Sequence, residues 1–297
     1  MKKFLVISMT DWVAEDFSVG LGDGHSYRVG SESQSLELKR DFGFDPPSIP
    51  PQEIAGFWMP AAHAARLMLA NYHLGWTAPG GHWLDNVSQR LTQRRILTSL
   101  KSEASFAEGV WKIAEAKLPS FESKWRTKEE VEQDAEHLPD KTLLQYSPDF
   151  LDIAREERFF VYYDSSSDQW KMFGTVYKER DWIYYSDLVE REVSQDSYEF
   201  LRDHLPSFAA FSPSAYVVDI ATLADSSKAV LEANPAWCSA VYSANIKGAI
   251  QTIVHSSNSL ASAPGKWVPD EALRVDAYRR NASNPRAWSP VSNSYSQ

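Results

Sequence analysis

The sequence predicts an α+β fold in which strand hairpins and amphipathic helices follow one another without a regular repeat. Three observations carry this expectation. Two apolar runs, 216–220 and 229–233, flank the polar turn Asp225-Ser226-Ser227, which is the pattern of a hairpin. A second pair of runs, 156–163 and 170–177, is joined by Asp164-Ser165-Ser166-Ser167-Asp168. Helical spacing of apolar residues marks 57–72, 127–138, 198–204 and 246–255.

Length and composition bound the function. A chain of 297 residues can bury a large core and divide into two or three subdomains. Its 43% hydrophobic and 24% charged content is that of an ordinary soluble globular protein. The net charge of −10 makes it a poor generic binder of nucleic acid or of an anionic membrane, so neither partner is expected. With Cys238 as the one cysteine, no internal disulfide can form, and a reducing compartment fits. The apolar run after Lys2 and Lys3 is too short for a signal peptide. No stretch approaches the ~18 apolar residues of a membrane helix. The cytoplasm is the expected location.

In chain order, residues 3–8 form the pattern of a buried strand. Residues 18–50, rich in Gly, Ser, Asp and Pro, are expected to be loop. A helix is expected over 57–72, and Pro79-Gly80-Gly81 then makes a turn, because no Gly-x-x-x-x-Gly-Lys-Ser/Thr phosphate loop occurs. The spacing predicts a helix over 84–100 with basic Arg90, Arg94 and Arg95. A strand and turn over 109–117 carry Lys112 and Lys117. Thr127 and Glu130 have the spacing of a capping box at the start of the helix to Leu138. A strand over 141–145 stops at Ser147-Pro148. A third strand over 182–185 extends the first hairpin, and a poorly ordered tail is expected over 281–297.

The chemistry begins with acids inside strands. Glu232 and Asn234 are two apart and point the same way, and Asp219 can face them from the paired strand. Three hard oxygen ligands suit Mg²⁺. By spacing alone they equally suit the wet face of a half-exposed hairpin. An inward strand lysine is costly unless it meets an anion, so Lys112 and Lys117 are either phosphate ligands or solvated. Glu156 and Arg158 share one strand face. There they make either a phosphate-binding fork or an exposed ladder of ion pairs. The seven histidines show no zinc spacing, and no Gly-x-Ser-x-Gly elbow occurs. Cys238 has no indicated histidine partner.

Taken together, three strings resemble a known family. Asp219, a turn and then Glu232-Ala233-Asn234-Pro235, continuing to Tyr242, resemble the metal-binding end of ATP-grasp proteins, in particular their R2K clade. Lys112-Ile113-Ala114-Glu115-Ala116-Lys117 and Glu156-Glu157-Arg158-Phe159-Phe160 are similar to that clade's lysine and arginine strands. The likeness covers roughly residues 90–255. It implies an ATP-grasp fold of two α+β lobes that clamp a nucleotide, behind a small α/β N-terminal region. The implied divisions are 1–90 ahead of the grasp, 91–148 as the small lobe, 149–260 as the large lobe with the metal site, and 261–297 as a C-terminal extension.

The resemblance also implies roles. Asp219, Glu232 and Asn234 would hold Mg²⁺. Lys112 and Lys117 would bind ATP phosphates, with Arg158 and Lys117 acting on the transferred phosphoryl group. Glu156, Gln145 and Ser147 would complete the nucleotide site. The implied reaction joins a small-molecule or peptide carboxylate to an amine through an acyl phosphate, releasing ADP and phosphate. Ile113 stands where the clade usually has proline, and Ala240-Val241 where it often has glycine. These departures motivate a second reading, a degenerate Mg-ATP-binding module without turnover. A third is an acidic, aromatic-rich interaction protein. Trp237, Ser239 and Tyr242 follow a pattern of the clade that core packing would explain as well. The oligomeric state is left open.

Overall fold

Strand β1 (Lys3–Ile7) is the centre of a parallel three-stranded sheet, between β2 (Ser26–Val29) and β3 (Ile54–Trp58). The computed structural model describes residues 3–7, 17, 26–29, 50–118, 120–180, 182–184, 191–242, 244–258 and 265–275. Part of the expected 18–50 loop is thus strand β2. Residues 18–25 and 30–49 lie outside the described residues, as does the expected tail over 281–297. The helix expected over 57–72 is shorter. Phe57 and Trp58 belong to β3, and helix α1 (Ala61–Leu69) begins only after Pro60, whose fixed φ and missing N–H suit the start of a helix.

The expected helix over 84–100 is a correction. A 3-10 turn (Leu84–Asn86) and the single-turn helix α2 (Gln89–Thr92) are followed by strand β4 (Leu97–Leu100). Gln93 adopts a left-handed conformation, φ 54°, which ends α2. The residues after it gain more from pairing with a neighbouring strand than from extending the helix.

That neighbour belongs to the small-lobe sheet. Strands β5 (Gly109–Ile113) and β6 (Lys124–Arg126) form a hairpin. Helix α3 (Lys128–Ala135) starts with the expected capping box, Glu130 N–H donating to Thr127 Oγ1 and Thr127 N–H to the Glu130 carboxylate. Strand β7 (Leu143–Ser147) then enters between β4 and β5, giving the antiparallel order β4-β7-β5-β6.

The large sheet is antiparallel too. Strands β8 (Ile153–Asp164) and β9 (Gln169–Glu179) make the long hairpin, and β10 (Trp182–Ile183) lies at its edge. Helix α4 (Gln195–Phe208) comes next, longer than the expected 198–204. Strands β11 (Ala215–Leu223) and β12 (Lys228–Asn234) complete the order β10-β9-β8-β11-β12. Helix α5 (Ile246–Asn258) packs on this sheet and on β3.

Strand alternation gives β8 two different faces. Phe159 and Val161 point toward α4 and pack with Leu201, Leu205 and Phe208. Glu157, also on that side and fully buried, accepts hydrogen bonds from Ser194 N–H and Ser197 Oγ–H at the first turn of α4. The opposite face carries Glu156, Arg158 and Phe160. Phe160 enters the main core, which runs through Trp58, Trp76 and Trp237 to the small-lobe residues Trp111 and Leu144. One continuous apolar core therefore fixes the large lobe against the small one and leaves the Glu156–Arg158 end of the face open to polar chemistry.

The packing of α5 is tight enough to test. A Cβ at Gly248 would stand 2.2 Å from the ring of Phe173. Gly248→Ala is therefore expected to lower stability by about 1–3 kcal/mol despite alanine's better helix propensity. A lower midpoint in urea unfolding checks this, and an unchanged or raised midpoint contradicts it.

Candidate functional site

Cross-strand register brings the strand acids together. Asp219 on β11 lies opposite Glu232 on β12 and opposite Arg158 on β8, and Val217 lies opposite Asn234. Asp219 is fully buried and Arg158 nearly so. Their groups meet as a two-pronged pair, Arg158 Nε and Nη2 donating to the two Asp219 oxygens at 2.8 and 2.7 Å, the geometry that suits guanidinium and carboxylate. Arg158 Nη1 donates to the carbonyl of Ala240 at 3.1 Å. Backbone approach at the position where the clade often has glycine is thus achieved with alanine.

Two tyrosines wall the guanidinium. Tyr177 and Tyr242 stack with centroids 5.0 Å apart, and the Arg158 carbon lies 5.1 and 5.2 Å from their centres. Tyr177 also donates to Glu156, which accepts from Lys178 as well. Tyr242 is held at φ 51°, an unusual backbone for a non-glycine residue.

The small lobe contributes the lysines. Lys112 Nζ donates to Glu232 Oε2 at 2.8 Å and Lys117 Nζ to Glu232 Oε1 at 3.1 Å. Asn234 Nδ2 donates to Glu232 at 2.9 Å and stands 3.5 Å from Asp219. One carboxylate on the large lobe is therefore shared by both lysines of the small lobe. Lys112 is 19% exposed and Lys117 76% exposed, so Lys112 is fixed in the interlobe contact and Lys117 reaches in from the rim.

The electrostatics follow. Burial disfavours the Glu232 charge, but Lys112 and Lys117 outweigh it and hold the carboxyl well below its ordinary range. The same contact with the Glu232 carboxylate raises the Lys117 ammonium. Burial also opposes the Arg158 charge, and the Asp219 carboxylate overcomes it, so the guanidinium is held charged well above its usual value. Burial pushes the Cys238 thiol up to about 12, with Lys117 and Arg158 pulling it down in part.

Other expected site residues sit at the edge of this group. Gln145 lies opposite Lys112 in the sheet and its amide reaches Thr98 Oγ1 at 3.5 Å. Ser147 is engaged locally, its hydroxyl donating to Asp149 O and accepting from Asp149 N–H, so its side chain closes the link between β7 and β8. A cleft of about 500 Å³ opens beside that link, lined by Tyr146, Pro148, Leu97 and Arg94 among others. Arg94 Nη2 donates to the carbonyl of Leu231 on β12 and so ties the approach segment to the large lobe.

Belonging follows from this arrangement together with the match to a family model, "ATP-grasp domain, R2K clade family 2", over residues 94–252, more than half of the chain. The chain is an ATP-grasp protein of the R2K clade. A search of curated proteins returned no match. Among solved structures, D-cycloserine synthetase DcsG superposes with a TM-score of 0.51 at 11% identity, covering 84% of this chain and 98% of that one. N5-carboxyaminoimidazole synthetase from Staphylococcus aureus, complexed with ADP, gives 0.47 at 10% identity over 88% and 79% of the two chains. The macrocyclase MdnC from Microcystis aeruginosa MRC, bound with its precursor peptide MdnA, gives 0.44 at 13% over 85% and 99%. At such identities the likeness concerns the fold.

For this ATP-grasp chain, the donor set fits a hard divalent cation. Two carboxylates and an amide are oxygen ligands of the kind Mg²⁺ takes beside water and phosphate, once the Asn234 amide turns to present its oxygen. Among the described residues no group of three or more His, Cys, Asp or Glu converges as a metal centre, so the candidate rests on Asp219, Glu232 and Asn234. No described helix is long and apolar enough to cross a membrane.

Tyr177 and Lys178 were not among the residues singled out from the sequence, and Arg94 was named there only as a basic residue of the expected 84–100 helix. Counting outward from the Asp164–Asp168 turn pairs Glu156 with Tyr177. The bulge between Glu156 and Glu157 shifts that count by one and sets Lys178 opposite Glu156, and nothing in the sequence marks where the bulge falls. Trp237 proves to be core. It is fully buried, donates to Thr77 O, and packs against Trp76 and Trp267.

A thiol raised this far is a poor nucleophile. With native protein at pH 8, Cys238 is expected to react with a disulfide reagent at least about a hundredfold more slowly than in urea-unfolded protein. Comparable rates in both states would show that the thiol is not raised.

Proposed function

We propose that this chain is an ATP-dependent ligase that activates a carboxylate as an acyl phosphate and passes the acyl group to an amine. The observation that supports it most directly is the direct meeting of Lys112 and Lys117 from one lobe with Glu232 of the other, beside Arg158, Asp219 and Asn234. Phosphoryl transfer asks a protein mainly for positioning and charge neutralisation, and this constellation supplies both.

In the proposed reaction a substrate carboxylate oxygen attacks the γ-phosphorus as its bond to the β,γ-bridging oxygen breaks and ADP leaves. The amine nitrogen then attacks the acyl carbon, loses a proton, and inorganic phosphate departs. Lys112 and Lys117 hold phosphate oxygens as point charges. Arg158, fixed by Asp219 and the Ala240 carbonyl, keeps N–H groups free to face the transferred phosphoryl group. Tyr177 and Tyr242, stacked on each other, lie against the guanidinium on one side. Asp219, Glu232 and Asn234 would hold Mg²⁺, which when bound supplies positive charge to the phosphate oxygens. DcsG and N5-carboxyaminoimidazole synthetase are synthetases of small molecules, and MdnC acts with a precursor peptide. Both a small-molecule and a peptide carboxylate therefore belong in a substrate screen.

Mg-ADP at a hundred times its dissociation constant is expected to stabilise the protein by about 2.7 kcal/mol, visible as a raised melting temperature. No shift at millimolar Mg-ADP and Mg-ATP would remove the nucleotide site. With a carboxylate and amine that support ADP release, Arg158→Lys keeps the charge and loses the fork, and is expected to lower kcat by at least about tenfold. Retention of the wild-type rate would free Arg158 of the assigned role.

A further inference from the structure

The candidate site is closed on itself by its own charges. Lys112 and Lys117 occupy the two oxygens of one carboxylate, at 2.8 and 3.1 Å, and the Asn234 amide adds a third donor to it. Arg158 occupies both oxygens of Asp219. Three cations against two carboxylates leave this inner group at +1, with Lys178 and Glu156 paired beside it. The lysines proposed to take phosphate and the carboxylate proposed to take metal are thus each other's partners.

This arrangement decides what can enter. A polyphosphate arriving without metal competes with Glu232 for the ammonium groups of Lys112 and Lys117. It then leaves that carboxylate, which is only 20% exposed, unpaired beside an anion. A divalent cation arriving without nucleotide must displace two ammonium groups and leave them against a like charge. Arriving together, each ligand supplies the partner that the other removes: the lysines exchange a carboxylate for phosphate, and Glu232 exchanges ammonium for metal.

We propose that Glu232 is an internal stand-in for phosphate that blocks the lysines, so that nucleotide and divalent cation enter only as a pair. The effect is reciprocal by linkage, metal tightening nucleotide as much as nucleotide tightens metal. The inference rests on the Mg-ATP reading above and adds a property that reading does not require, namely that the block is removed by neutralising Glu232 even when metal is absent.

Titration calorimetry with ADP tests it, in Mg²⁺ and in EDTA. The wild type is expected to bind Mg-ADP at least about a hundredfold more tightly than metal-free ADP. In Glu232→Gln the lysines are released, so metal-free ADP should bind about tenfold more tightly than to the wild type, and the dependence on Mg²⁺ should shrink. Metal-free ADP binding to the variant no tighter than to the wild type overturns the proposal while leaving the nucleotide site standing. Failure of the wild type to bind Mg-ADP at all overturns the ligase reading and this inference with it. Because Glu232 is partly buried, a second variant guards against misfolding. Lys117 is largely exposed, and Lys117→Met removes one of the two blocking charges. Nucleotide-free Mn²⁺, followed by water proton relaxation, should bind this variant several-fold more tightly than the wild type. An unchanged Mn²⁺ affinity overturns the block from the metal side.

Discussion

The pair between Arg158 and Asp219 is the constraint on which the candidate site depends. It joins the neighbouring strands β8 and β11 at the point where the apolar face of the large sheet gives way to polar residues. Removing two charges from water is costly, and only close contact with full hydrogen bonding offsets it. The contact is close, with two prongs to Asp219, a third bond to the Ala240 carbonyl, and an aromatic wall of Tyr177 and Tyr242. Losing one partner alone would strand the other in the interior at about 3–5 kcal/mol. The guanidinium therefore has little freedom, which is what a group that must meet a moving phosphoryl charge requires.

The lysine contacts are of a different kind. They cross between lobes, and Lys117 remains largely in solvent. Their strength depends on the distance between the small and large sheets, whereas the Arg158 pair is internal to one sheet. The continuous core through Trp58, Trp237, Trp111 and Leu144 sets that distance. A rigid Arg158–Asp219 floor beneath the largely exposed Lys117 makes the lysine side the route by which a ligand reaches the site.

Much of this was legible in the chain itself. The capping box at Thr127, the hairpin around Asp225, and the shared face of Glu232 and Asn234 all depend on residues within a few positions of one another. The long helix expected over 84–100 failed for a reason of the same scale. A run of well-spaced leucines and arginines satisfies helical periodicity, but Gln93 turns left-handed and the following residues pair with β7. Periodicity is blind to a sheet edge that waits fifty positions away.

Alternation along each strand is a local property, so the sequence alone determined which side chains share a face: Glu156 with Arg158, and Glu232 with Asn234. It also determined that acids and lysines had to find polar company. Only the tertiary structure decided which partner each one takes. Lys112 and Glu232 are 120 positions apart, and Arg158 and Asp219 are 61 apart. Such contacts are fixed by how sheets pack and by bulges at Glu156/Glu157 and Asp219/Ile220. The free energy of those features is spread over a whole core, and no short stretch of chain encodes it.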